Sequence, residues 1–77
     1  MKTYHVSLGA VGLVKDFVSA IAPFPLDLDL VSGRFVVDAK SIMGIFSLDL
    51  TQPLELRVHG DGGPELEAAL APYLTAG

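Results

Sequence analysis

The stretch Asp38-Ala39-Lys40-Ser41-Ile42-Met43-Gly44-Ile45-Phe46-Ser47-Leu48 reads as a small polar turn, a serine, and a short, mostly apolar helix that runs toward a strand. A serine at a helix start caps it, because its hydroxyl accepts a hydrogen bond from a backbone N–H of the first turn. The same hydroxyl, once phosphorylated, would set a dianion against the unpaired amides and positive end of that helix. The pattern predicts a helix from Ser41 to about Ser47. It makes Ser41 a candidate for an architectural role, a regulatory role, or both.

Outward from this stretch the period changes to two. Upstream, Leu26, Leu28 and Leu30 alternate with Asp27 and Asp29, a half-buried strand. Ser32-Gly33 is a tight-turn signal, and Arg34 to Val37 is the returning strand of a hairpin. Downstream, after Pro53, Leu54, Leu56 and Val58 alternate with Glu55, Arg57 and His59 in a further strand. Near the N-terminus, Thr3 to Leu8 alternates as well, with Tyr4, Val6 and Leu8 on one face. Between the first two strands, from Gly9 to Ala22, Leu13, Val14, Phe17, Val18 and Ile21 fall at helical spacing, and Pro23 and Pro25 end that helix. Asp61-Gly62-Gly63 breaks the chain before a last helix opened by Pro64, with Glu65 and Glu67 near its positive end. Its apolar stripe is Leu66, Ala69, Leu70, Tyr73 and Leu74.

The order is β-α-β-β-α-β-α. Every strand has one polar face, as in an antiparallel sheet with one side in water. The expected class is therefore α+β: a two-layer, open-faced sandwich of four antiparallel strands with three helices on one face.

The chain has 77 residues, enough for one domain spanning 1–77. A domain of this size buries roughly 60% of its unfolded surface. With no cysteine and 51% hydrophobic residues, it must fold on apolar burial alone, without disulfides, thiolate chemistry or cysteine-bound zinc. The net charge is −4 and the five Lys and Arg are scattered, which argues against a binder of nucleic-acid backbone. Met1-Lys2-Thr3-Tyr4-His5 lacks the features of a signal peptide, and no apolar stretch approaches the ~20 residues that cross a bilayer. A cytoplasmic protein without membrane contact is expected.

The element order and the run Ala39 to Leu48 resemble HPr, the small phosphocarrier family of the bacterial sugar phosphotransferase system. The resemblance covers essentially the whole chain, including the Ser32-Gly33-Arg34 hairpin and the closing helix that follows glycine with acidic residues. Its most specific part is Lys40-Ser41-Ile42-Met43-Gly44. It implies an HPr-like fold. In that family a histidine followed by x-Arg-Pro opens the first helix and takes phosphate on a ring nitrogen, with helix amides and the arginine stabilising the charge. Placing Phe17-Val18 on the family's equivalent pair puts Ala10 where the histidine belongs, Gly12 at the arginine and Leu13 at the proline. Gly9 to Val14 contains neither His nor Arg, so a shift of a residue or two restores nothing.

Ser41 matches the serine that a dedicated kinase phosphorylates in HPr of Gram-positive bacteria. The catabolite-repression HPr relative keeps this serine without the histidine and partners a transcriptional regulator. Apolar positions after the serine form part of its docking surface, and Ile42, Met43 and Phe46 hold the matching places here. The resemblance thus implies a regulatory or protein-binding module with no catalytic residue and no cofactor. It would dock through the second helix and the neighbouring surface of the first. Its partner would be a component of the phosphotransferase system or of catabolite regulation. One alternative is a phosphocarrier with an atypical acceptor such as His5; another is an accessory protein whose partner is unrelated to sugar transport.

Each candidate also has a plain structural reading. Ser41 as a helix cap is worth about 1 kcal/mol against alanine. Ile42, Met43 and Phe46 either join the core or stay exposed, since Ile45 and Leu48 can supply the buried face. His5 and His59 lie on the polar faces of neighbouring strands, where the two rings can approach; a metal site with Asp61 has no spacing that enforces it. Asp27 and Asp29 suit weak cross-strand pairs with Arg57, His59 or Arg34 better than acid–base chemistry. Gly62-Gly63 is a turn, because no Lys-Ser or Lys-Thr follows it as in a phosphate-binding loop.

Overall fold

The computed structural model describes residues 2–76. Within them the chain forms β1 (Lys2–Val6), α1 (Val11–Ile21), β2 (Asp27–Ser32), β3 (Phe35–Asp38), α2 (Ile42–Phe46), β4 (Leu54–His59) and α3 (Gly63–Leu70), followed by a 3₁₀ turn at Ala71–Tyr73. All strand neighbours are antiparallel, in the order β1-β4-β2-β3. Element order and fold class are those read from the alternation of apolar residues.

The alternation also decides the layers. Val6, Leu28, Leu30, Leu54, Leu56 and Val58 are buried from the sheet, and Val14, Phe17, Ile21, Ile45, Leu66 and Leu70 meet them from the helices. At about 25 cal/mol per Å² of apolar area, this burial is the main favourable term for a chain without crosslinks. The intervening strand residues face water in rows set by register. Thr3, Arg57, Asp29 and Asp38 form one row; His5, Glu55, Val31 and Val36 form the next.

Four boundaries differ from the sequence reading, each for a local reason. β1 ends at Val6 because its partner Leu54 follows Pro53, which has no N–H to extend the ladder. Leu8 nevertheless reaches the core. α1 begins at Val11, after an extended Ala10 (φ −126°, ψ 143°). The hairpin loop is Gly33-Arg34, not Ser32-Gly33, because Ser32 pairs with Phe35. Gly33 has φ 59° and Arg34 does not have a positive φ, the pattern of a type II′ turn with glycine at its first central position. Finally, α3 stops at Leu70 and tightens into the 3₁₀ turn, since Pro72 cannot donate to a carbonyl of the preceding turn.

Beyond that turn the chain closes one edge of the sheet. Ser7 donates its N–H to the Tyr73 carbonyl at 2.9 Å, Thr75 donates to the His5 carbonyl at 2.9 Å, and Val6 bridges Leu74. Tyr73 is buried with its ring edge-on to Phe17, the centroids 5.4 Å apart at 84°. Leu74, expected in the apolar stripe, is instead an exposed member of this edge contact.

α3 is also fastened to β1 from outside. Glu67 Oε2 accepts from Lys2 Nζ at 2.9 Å and from the Tyr4 hydroxyl at 3.1 Å. The Lys2 bond, then the Tyr4 bond, holds the Glu67 carboxyl below the ordinary 4.5. A carboxylate with a lowered folded pKa adds stability that is present above the unfolded value and is lost as pH falls through the folded one. Lys2→Ala is therefore expected to raise the Glu67 pKa toward 4.5 and to flatten the loss of thermal stability below that pH, read by carboxyl NMR and melting curves. A Glu67 that already titrates at its ordinary value in the unaltered protein would contradict this account.

Candidate functional site

The approach to Ser41 is fixed by three turns of backbone chemistry. Ala39 is fully buried and donates its N–H to the Leu28 carbonyl at 2.9 Å, extending the hairpin ladder by one bond. Asp38 then accepts twice: its side chain from the Lys40 N–H at 2.9 Å, its carbonyl from the Ser41 N–H at 3.0 Å. Lys40 turns aside, and its ammonium donates to the Phe24 carbonyl at 2.5 Å, tying the loop after α1 to the start of α2.

Ser41 is the N-cap of α2, with φ −99° and ψ 104°. Its Oγ accepts from the Gly44 N–H at 3.1 Å, and its carbonyl takes the first helical bond from Ile45 at 3.0 Å. Gly44 permits this closeness: a Cβ there would stand 3.2 Å from Ser41 Oγ and 3.3 Å from Val37 Cβ. At the far end Ser47 donates its hydroxyl to the Gly44 carbonyl at 2.5 Å. A helix of five residues is thus held at both ends by serine.

Ile45 and Leu48 supply the buried face of this segment. Ile42 is half-buried, Phe46 is exposed, and Met43 stands 80% exposed. α1 packs beside α2 and presents Val11, 66% exposed, and Leu13, also exposed. Leu13 was expected in the buried stripe of α1; Val14, Phe17 and Ile21 fill that stripe, leaving Leu13 outside it. Val11 is not singled out in the sequence, where helical spacing is read on Leu13, Val14, Phe17, Val18 and Ile21. Two helices in contact thus each leave apolar side chains in water, Val11 and Leu13 on α1 and Met43 and Phe46 on α2, and Ser41 caps the second. Ala10, the N-cap of α1, offers only a methyl group and makes no side-chain cap bond.

The histidines stand elsewhere. His5 faces Glu55, four positions before His59 on β4, so the two histidines stand about 13 Å apart along the ladder and are not cross-strand partners. His59 instead bonds Asp29 at 2.8 Å and faces Asp27 across the strands. Arg57 stands opposite Asp29 but pairs with Glu55 on its own strand. Among the described residues no group of three or more His, Asp or Glu is placed to hold a metal ion. Nor is any helix among them long and apolar enough to cross a membrane.

No protein-family model and no curated protein matches the chain. Solved structures do. HPr-C-His from Thermoanaerobacter tengcongensis superposes with a TM-score of 0.77 at 28% identity, over 94% of this chain and 89% of that one. The phosphocarrier protein HPr from Bacillus anthracis str. Ames gives a TM-score of 0.66 at 29% identity, over 96% of this chain and 94% of its own.

Since Ser41 closes one of the open amides of α2, Ser41→Ala should cost about 1 kcal/mol in denaturant unfolding, while Ser41→Asp keeps most of the stability. Met43→Ser, on an exposed side chain, should stay within about 0.5 kcal/mol of the parent.

Proposed function

From the HPr-like fold of this chain, shared with phosphocarrier proteins over most of its length, we propose a regulatory or protein-binding module that has lost the phosphohistidine relay. It docks a protein partner through α2 and the adjoining start of α1, and phosphorylation of Ser41 switches that docking. The observation that carries this reading is the exposure of Val11 and Leu13 on α1 and of Met43 and Phe46 on α2, two helices in contact, the second of them capped by Ser41. Supporting it, residues 9–14 contain no imidazole and no guanidinium, so the start of α1 has neither a phosphate acceptor nor an arginine to steady one. A phosphate on Ser41 Oγ would bring negative charge to the rim of an otherwise apolar surface. That raises the desolvation cost of burying this rim and favours a partner with an arginine or lysine there. The partner class is a component of the phosphotransferase system or of catabolite regulation, in a cytoplasmic setting.

The neighbours' identity as phosphocarriers favours one second reading, a carrier with an atypical acceptor. The chain has two histidines, and both His5 and His59 stand on the face of the sheet away from the helices. Such a carrier would present its phosphate on the opposite side from the apolar surface.

Two incubations separate these readings by mass. With phosphoenolpyruvate and the first enzyme of the phosphotransferase system, the mass should stay unchanged, and an acid-labile gain of one phosphate would establish the carrier instead. With ATP and HPr kinase, the protein should gain one acid-stable phosphate that Ser41→Ala does not; equal mass in both would reduce Ser41 to a helix cap.

A further inference from the structure

The two edges of the sheet are treated differently. The β1 edge is closed by residues 74–75, whereas β3 forms the other edge and pairs with β2 alone among the described residues. The backbone of β3 has a definite polarity. Because Ala39 donates to Leu28, and bonded and unbonded pairs alternate along an antiparallel ladder, Val37 bonds inward and Val36 and Asp38 turn their amides outward. At this edge Phe35 is 68% and Val36 55% exposed. An unpaired edge with exposed apolar side chains is a template for another strand.

We propose that the partner for this edge is β3 of a second copy of the chain, joined antiparallel about a two-fold axis at Val36. The side chains select this register. Centred on Val36, Val36 meets its own copy, Phe35 meets Val37, and Arg34 meets Asp38 twice, once on each side of the axis. Centring on Val37 would set Arg34 against Lys40, and centring on Phe35 would leave Asp38 opposite Ser32. Only the Val36 register pairs opposite charges while bringing the outward amides of Val36 onto one another. It is also self-complementary, as a closed two-fold interface requires. Two four-stranded sheets would become one of eight strands, with the outer edges already closed by residues 74–75. The contact is short, and each copy carries a charge of −4, so association is weak and reversible and the two Arg34–Asp38 pairs offset part of the repulsion. The surface around Ser41 plays no part in it, so this inference stands apart from the proposed function.

The test is sedimentation velocity and amide NMR of the full chain over a concentration series at low salt. The expected result is a shift toward dimer, with concentration-dependent amide changes centred on Arg34, Val36 and Asp38. Arg34→Asp alone turns both cross-chain pairs repulsive and should weaken dimerisation by about tenfold. Asp38→Arg should do the same, and the double exchange Arg34→Asp with Asp38→Arg should restore it. Should Asp38→Arg disturb the turn it caps, Val36→Lys sets two lysines across the axis and should abolish the dimer by itself. A monomer at every concentration overturns the proposal, leaving the edge for a different strand. So does a dimer indifferent to the charge exchanges, or one whose amide changes map to Val11, Met43 and Phe46.

Discussion

Leu28 and Leu30 on β2 and Leu54, Leu56 and Val58 on β4 form an aliphatic floor down the middle of the sheet, and the buried side chains of all three helices join them in one core. These two strands are central, so neither has an edge to spare, and apart from Val31 their outward residues are charged or polar: Asp27, Asp29, Glu55, Arg57 and His59. A slip of one residue in this pairing would turn the slipping strand's own set to water, Leu28 and Leu30 if β2 moves or Leu54, Leu56 and Val58 if β4 does. The pairing of β2 with β4, distant in sequence, is thus the constraint from which the helix layer, the β3 hairpin and the position of Ser41 all follow.

That constraint explains why a helix as short as α2 persists. Isolated helices of this length do not hold in water. This one is clamped between a serine cap and a serine at its exit, laid against Val37 through Gly44, and anchored by Ile45 in the core. Burial uses one face and leaves Met43 and Phe46 outside. The exposed apolar surface is a geometric outcome of pressing a five-residue, mostly apolar helix onto a sheet.

Much of this was legible in the residues. Period-two alternation marked three of the strands, because a one-sided sheet imposes an in–out pattern, the turn signal marked β3 as the return of a hairpin, and Ser41 was readable as a cap from its place before an apolar run. What stayed hidden depends on contacts distant in sequence. Nothing near Lys40 indicates that its ammonium ends on the Phe24 carbonyl. The exposure of Leu13 depends on how α1 is rotated over the floor, which helical spacing alone leaves open between neighbouring residues. The turn at Gly33-Arg34 was displaced by one residue in the reading, since glycine can serve either central position until the strand register is known. His5 and His59 sit on neighbouring strands as expected, yet the offset of that register keeps them apart.

Tyr73 joins the core to the closed edge: its ring meets Phe17 while its carbonyl holds the Ser7 N–H. The chain has no tryptophan and only two tyrosines, so its near-ultraviolet signal at wavelengths beyond the absorption of the four phenylalanines comes from Tyr4 and Tyr73 alone. Tyr4 lies beside the carboxylate of Glu67 and Tyr73 inside the apolar layer, two environments with different optical signatures. The protein therefore carries a native spectroscopic reporter at the segment that closes the β1 edge. Peeling of the closing strand from β1 can be followed separately from collapse of the sheet, with no label added.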